Sequence, residues 1–241
     1  MIIAHLPRGT LKACSLTCRS WYIAAVPYLH HTFTFTTGRS GAARRQLEPL
    51  SKLHELGLMS LVKEIRVKQG AGSSSWFVPE AITYLDLRYF SAFTNVHTLA
   101  LENMEIYRFI PDVGRYFEHF SPTLRSIALY NPDCTPRQLS HFLSFFPNLD
   151  DIDVDQTSSR MDDTSHSDLV SFSAPKLGGR LTLRQFRWVE TWTHLITSST
   201  SLRFRHMDLC EVGNCAPVLL RACAETLETL RFNVRDSSIG E

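Results

Sequence analysis

Apolar residues fall along most of this chain in one recurring template, apolar-x-x-apolar-x-apolar. It occurs as Val96/Leu99/Leu101, Leu124/Ile127/Leu129, Leu149/Ile152/Val154, Phe204/Met207/Leu209 and Leu227/Leu230/Phe232. Leu177/Leu181/Leu183 is one residue longer, and Leu61/Ile65/Val67 is an earlier, weaker copy. From Leu99 onward the central positions lie 28, 25, 29, 26 and 23 residues apart by subtraction of their numbers. The last two apolar positions of each copy are separated by one residue, polar or alanine, the period of a strand with one buried face. The expected inward positions are Leu99, Leu101, Ile127, Leu129, Ile152, Val154, Leu181, Leu183, Leu230 and Phe232.

The same period sends polar residues to the opposite face. Glu64, Arg66 and Lys68 fall there, then Thr98 and Glu102, Ser126 and Tyr130, and Asp151, Asp153 and Asp155. Arg180 and Arg184, His206 and Asp208, and Thr229, Arg231 and Asn233 follow. Stacked in order, these rows would run basic, neutral, acidic, basic.

Helical stretches separate the strands. Thr135 can cap a helix with Pro136 at its first position; Leu139, Phe142, Leu143 and Phe146 form its apolar face, and Pro147 stops it. Trp188, Trp192, Leu195 and Ile196 make a second such face, and 217–223 a third. Near the start, Leu11, Cys14, Cys18, Trp21 and Ala25 form one stripe at three–four spacing, which predicts a single helix from Pro7 to Ala25 ended by Pro27. Thr32-Phe33-Thr34-Phe35-Thr36 alternates as a strand. Gly38 to Arg45, Ala71 to Ser75 and Gln156 to Ser167 read as exposed linkers or loops.

Strand and helix alternating at roughly 20–29 residues is a leucine-rich-repeat period. Each such unit buries its apolar face only by stacking on its neighbours. The fold class expected is α/β: a leucine-rich-repeat-like solenoid preceded by a short helical segment. The boundaries are 1–31 for the helical segment, 32–60 for a connecting strand and linker, and 61–241 for the array. The Asn that usually lies three residues after the last strand leucine is absent, with Met104, Pro132, Thr157, Phe186, Val212 and Arg235 in its place. The hydrogen-bonded Asn ladder of regular repeats is therefore expected to be missing.

Composition narrows the function. Of 241 residues 44% are hydrophobic, and the formal net charge is +1, so charge alone implies no general affinity for nucleic acid or anionic membrane. No run approaches the ~18 apolar residues of a membrane helix. Met1-Ile2-Ile3-Ala4 is broken by His5 and Pro7 and forms no secretory core. Six cysteines then read as reduced, buried thiols in the cytoplasm or nucleus. Cys14/Cys18 and Cys210/Cys215/Cys223 lack zinc-knuckle spacing. Asp150, Asp151, Asp153 and Asp155 lack the glycine and terminal glutamate of a calcium loop, so a solvated strand face is expected, with a cation site or a contact for a basic partner as the alternatives. No His-Glu-x-x-His, Gly-x-Ser-x-Gly or phosphate-binding loop occurs, and Gly178-Gly179 reads as a turn. The chain is expected to be no enzyme, with no cofactor and no metal.

Leu6, Pro7, Leu11, Cys14, Ser15, Leu16, Cys18, Arg19, Trp21, Ala25, Pro27 and Leu29 fit the pattern Leu-Pro, Leu-x-x-Cys-Ser-Leu-x-Cys-Arg-x-Trp, Pro-x-Leu. This segment resembles the second half of an F-box domain, and the array resembles the irregular leucine-rich repeats of fungal F-box proteins. Met1 to Pro7 matches the end of that domain's first helix, so part of its adaptor-contacting surface is expected to be missing. The resemblance implies a target-recognition subunit of an SCF-type ubiquitin ligase. Its partners would be a Skp-type adaptor, a cullin scaffold reached through it, and a protein target of unknown identity, with no nucleic acid and no membrane. Leu6, Pro7, Leu11, Leu16 and Trp21 would face the adaptor. The target would meet the strand-borne polar face, at Arg66, Lys68, Tyr130, Asp151, Asp153, Asp155, Arg180, Arg184 and Arg231. A leucine-rich scaffold outside ubiquitylation and a hydrolase on an α/β scaffold are the alternatives.

Overall fold

The computed structural model describes residues 2–37, 41–69, 92–104, 106, 119, 121–134, 136–155, 177–185, 202–212 and 216–233. Among these residues the chain is α/β, built on one eight-stranded, all-parallel sheet whose strands follow one another in sequence order. They are β1 (Thr32–Thr37), β2 (Glu64–Gln69), β3 (Thr98–Glu102), β4 (Ser126–Tyr130), β5 (Asp151–Asp155), β6 (Leu177–Arg184), β7 (Leu202–Cys210) and β8 (Thr229–Asn233). The described helices are α1 (Arg8–Ser15), α2 (Arg19–Leu29), α3 (Gly41–Glu55), α4 (Pro136–Ser144) and α5 (Ala216–Ala222).

Register turns the alternation into rows. Phe33, Ile65, Leu99, Ile127, Ile152, Leu181, Met207 and Leu230 lie side by side across the strands. Phe35, Val67, Leu101, Leu129, Val154, Leu183, Leu209 and Phe232 form a second such row. Both rows are buried from β1 to β7 and join one core with Leu50 of α3, Leu139, Phe142 and Leu143 of α4 and Leu219 of α5. Val62, rather than Leu61, fills the core position before β2.

The strands are joined by a repeated backbone pattern. Just before each of β2 to β5, one carbonyl of the preceding unit accepts two consecutive N–H groups. His31 does so for Lys63 and Glu64, Lys63 for His97 and Thr98, His97 for Arg125 and Ser126, and Arg125 for Asp150 and Asp151. Just after β3, β4, β6 and β7 the chain passes through a left-handed residue: Asn103, Asn131, Gln185 and Glu211. Asn131 Nδ2 donates to Asn103 Oδ1 at 2.9 Å, so two units do share a side-chain Asn contact, one residue earlier than the expected ladder position. Asn95 and Asn148, ahead of β3 and β5, likewise donate to the carbonyls of Ser60 and Pro122.

Several expectations are corrected. Leu230 and Phe232 are 44% and 52% exposed, because β8 is the outermost described strand and nothing described packs beyond it. The single N-terminal helix is two helices. Ser15 Oγ and Thr17 Oγ1 donate to the carbonyls of Lys12 and Cys14, competing with helix propagation, and Cys18 is extended. Pro27 lies inside α2, two residues before its end, rather than terminating it. The linker read from Gly38 to Arg45 becomes helical at Gly41, where the helix formers Ala42-Ala43-Arg44-Arg45-Gln46-Leu47 begin. β1, assigned to the connecting segment, pairs with β2 throughout and is part of the sheet. Gly178 and Gly179 lie within β6, not in a turn. The Thr135 cap, the Trp188–Ile196 face, Cys215 and the loops at 71–75 and 156–167 lie outside the described residues.

Candidate functional site

Two surfaces gather the residues singled out from the sequence. Leu16 at the end of α1 and Trp21 on α2 are 87% and 43% exposed, and Tyr22 and Ile23 beside Trp21 are exposed as well. Pro7 is exposed and Leu6 half-buried. Leu11 is only 5% exposed, so it belongs to the inside of the helical pair rather than to its outer surface. Tyr22 and Ile23 were missed. The signal was there: three large apolar residues in a row cannot all face inward on one helix. Cys18 is exposed and Cys14 and Cys210 half-buried, which corrects the expectation of buried thiols; Cys134 and Cys223 are buried, and burial pushes both thiol pKa values up.

The polar sheet face is the larger surface. Its rows are fixed by the register already described. One runs Glu64, Thr98, Ser126, Asp151, Arg180, His206, Thr229. The next runs Arg66, Ala100, Ala128, Asp153, Thr182, Asp208, Arg231, and the third Lys68, Glu102, Tyr130, Asp155, Arg184, Cys210, Asn233. Ala100, Ala128 and Thr182 are short and buried, so the middle row forms a floor between longer neighbours.

The alignment of Arg180 with Asp151 and His206 depends on Gly179. Between Gly179 and Arg180 the pairing with β7 shifts by one residue, a bulge that leaves Arg205 unmatched. Gly179 takes φ +73°, and a Cβ there would lie 1.9 Å from the carbonyl oxygen of Asp150. Only glycine permits that approach.

The charges on this face fall into two sets. Over β2 and β3, Arg66 meets Glu64 at 2.9 Å and Glu102 at 3.4 Å, and Lys68 meets Glu102 at 2.9 Å. Two acids and two bases therefore neutralise one another, so the basic patch expected at Arg66 and Lys68 does not exist as such. The bond to Glu64 holds the Arg66 guanidinium more firmly protonated. Over β5 to β8 lies a groove of about 550 Å³, walled by Asp151 and Asp153, Arg180 and Arg184, His206 and Asp208, with Thr182, Thr229 and Arg231 also lining it. Arg184 reaches Asp153 at 3.5 Å, and His206 and Thr229 share a hydrogen bond. Burial pushes the Asp153 carboxyl above its ordinary pKa, against the pull of Arg184 and with the help of Asp155 and Asp208. Burial raises the Tyr130 phenol too, reinforced by Asp153. Among the described residues, Oδ1 of Asp153 and Oδ1 of Asp155 are buried without a hydrogen-bond partner. Among those residues no group of three or more His, Cys, Asp or Glu is arranged to hold a metal ion. No described helix is long and apolar enough to cross a membrane.

The sheet face thus brings Asp151, Asp153, Asp155, Arg180, Arg184 and Arg231 into one neighbourhood and sets Arg66 and Lys68 apart in another. The acidic-then-basic order of this half follows from stacking the strands in sequence, whereas the groove and the side chains that wall it together depend on the register. No protein-family model matches the chain, and no curated protein matches it.

Proposed function

We propose that this chain is a non-catalytic binding protein, the target-recognition subunit of an SCF-type ubiquitin ligase. In this reading α1 and α2 dock a Skp-type adaptor, and through it a cullin scaffold, while the polar sheet face holds a protein target. The units from β1 to β8 are irregular leucine-rich repeats in a solenoid. The setting is cytoplasmic or nuclear, where the thiols stay reduced.

The observation that carries the adaptor half is the run of exposed large apolar side chains Leu16, Trp21, Tyr22 and Ile23. Clustered apolar side chains exposed on a small helical pair are what a partner's apolar groove covers. Sequential parallel strands, with β2 to β5 joined to the strand before by the same backbone bonds, support the repeat reading. A face of side chains set at fixed spacing, with a groove in it, suits a macromolecular target. Holding that target near a charged ubiquitin carrier would raise effective concentration, so the chain needs no reacting group of its own.

The test is a titration of the chain with a purified Skp-type adaptor. Leu16→Asp with Trp21→Ala should weaken binding by about 2 kcal/mol or more, on the scale of an interface hot spot. Circular dichroism would confirm that the double variant stays folded. Equal affinity for wild type and variant would remove the adaptor half. The second reading, a scaffold outside ubiquitylation, would then remain; the burial of Leu11, which the F-box resemblance puts at the adaptor, is the observation that favours it.

A further inference from the structure

The two halves of the polar face differ in how their charges are spent. Over β2 and β3, Glu64, Arg66, Lys68 and Glu102 close on one another. Over β5 to β8 the closure is incomplete: Arg184 reaches Asp153, but among the described residues Asp151, Asp155, Arg180, Asp208 and Arg231 make no ion pair. Most of these open charges border the groove of about 550 Å³. They are also ordered. β5 presents three carboxylates, and Arg231 on β8 is the base farthest from them, in the same row as Asp153. Thr182 and Asp208 lie between the two. Three strand spacings of about 4.8 Å put Asp153 and Arg231 roughly 14 Å apart.

We propose that this groove takes an extended segment of a protein target in which a Lys or Arg lies about four positions from an Asp or Glu. The inference rests on the reading that the polar face binds the target. The basic side chain meets Asp151 and Asp153, and the acidic one meets Arg231. An extended chain advances about 3.3 Å per residue and presents every second side chain to one surface. Four residues therefore cover roughly 13 Å and keep both charges facing the sheet. A free amino acid holds its opposite charges too close together to reach both. A polyanion would meet Asp151, Asp153 and Asp208 inside the groove. A purely basic segment would meet Arg180, Arg184 and Arg231.

The experiment titrates the full chain with three fluorescent peptides of about ten residues, long enough to cross the groove. They are identical in a Ser/Gly background except at two positions: Lys with Glu four residues on, Lys with Gln, and Gln with Glu. The mixed-charge peptide should bind about tenfold tighter than either single-charge peptide, and rising salt should erase the difference. Arg231→Glu should abolish that advantage and favour a fourth peptide with Lys at both positions. Thermal melting would show that the variant is folded, and backbone amide shifts would locate the bound peptide. Equal affinity of the mixed and single-charge peptides, with shifts on β5 to β8, overturns the charge spacing and leaves target binding on this face standing. Shifts confined to other parts of the chain overturn both. Binding by none of the peptides overturns the inference.

Discussion

A methyl group at position 179 would sit 1.9 Å from the Asp150 carbonyl oxygen, on a backbone whose φ is +73°. Gly179→Ala should therefore cost about 2 kcal/mol or more, the left-handed penalty plus the forced separation of β5 from β6. Thermal melting checks it; a variant as stable as wild type would mean that the bulge is not needed. The glycine pair was visible in the sequence, but a glycine pair marks a turn as readily as a bulge, and the choice depends on the neighbouring strand. At Asp153 the facing was legible from alternation, whereas the burial was not, because it depends on the neighbouring strands that only the register supplies. Burial raises its pKa, so the folded state holds that proton more tightly than the unfolded chain does. Its stability contribution then falls as pH rises from the ordinary carboxylate value through the folded one. Asp153→Asn should melt no lower than wild type near neutral pH, and any advantage should vanish below the carboxylate range. A variant melting well below wild type near neutral pH would show that the Arg184 pair outweighs burial.

Strands were the most legible elements, because a period of two survives in a short window and the last two apolar positions of each copy lie inward from β2 to β7. Leu129 and Leu230 lie on the same face of the sheet, in adjacent rows, yet Leu129 is fully buried and Leu230 is 44% exposed. Truncating Leu129 to Ala should cost about 2–5 kcal/mol, while Leu230→Ala should cost under about 1 kcal/mol. Urea unfolding compares them directly, and similar losses would show that β8 is covered in solution. Period alone cannot tell an inner strand from an outer one, which is why β8 was read as core. The α1–α2 break escaped for another reason. Leu11, Cys14, Cys18 and Trp21 keep helical spacing through it, and only the hydroxyls of Ser15 and Thr17, turned back on the backbone, mark the interruption. The Asn103–Asn131 contact lies one position before the Asn of regular repeats, on the left-handed residues that follow β3 and β4, so the consensus spacing does not reveal it.

Each described strand pairs with those before and after it in sequence and with no other described strand. Stability then behaves as a chain of neighbour terms, weakest where a strand has one neighbour and no apolar cover. Amide hydrogen exchange should be at least about tenfold faster in β8 than in β4. Uniform protection would show that the sheet opens only as a unit. Net charge said little about this molecule: a value of +1 hides a neutralised network over β2 and β3 and an open one over β5 to β8. The strand order also has a kinetic side. Pairings such as Ile127 with Ile152 join residues 25 apart by subtraction, a short reach for a parallel sheet. Loops of that length close at modest entropic cost, so the chain should escape the slow search that distant pairings impose. As the chain leaves the ribosome, each new strand finds its partner already made, and the newest edge waits only for the next strand to arrive.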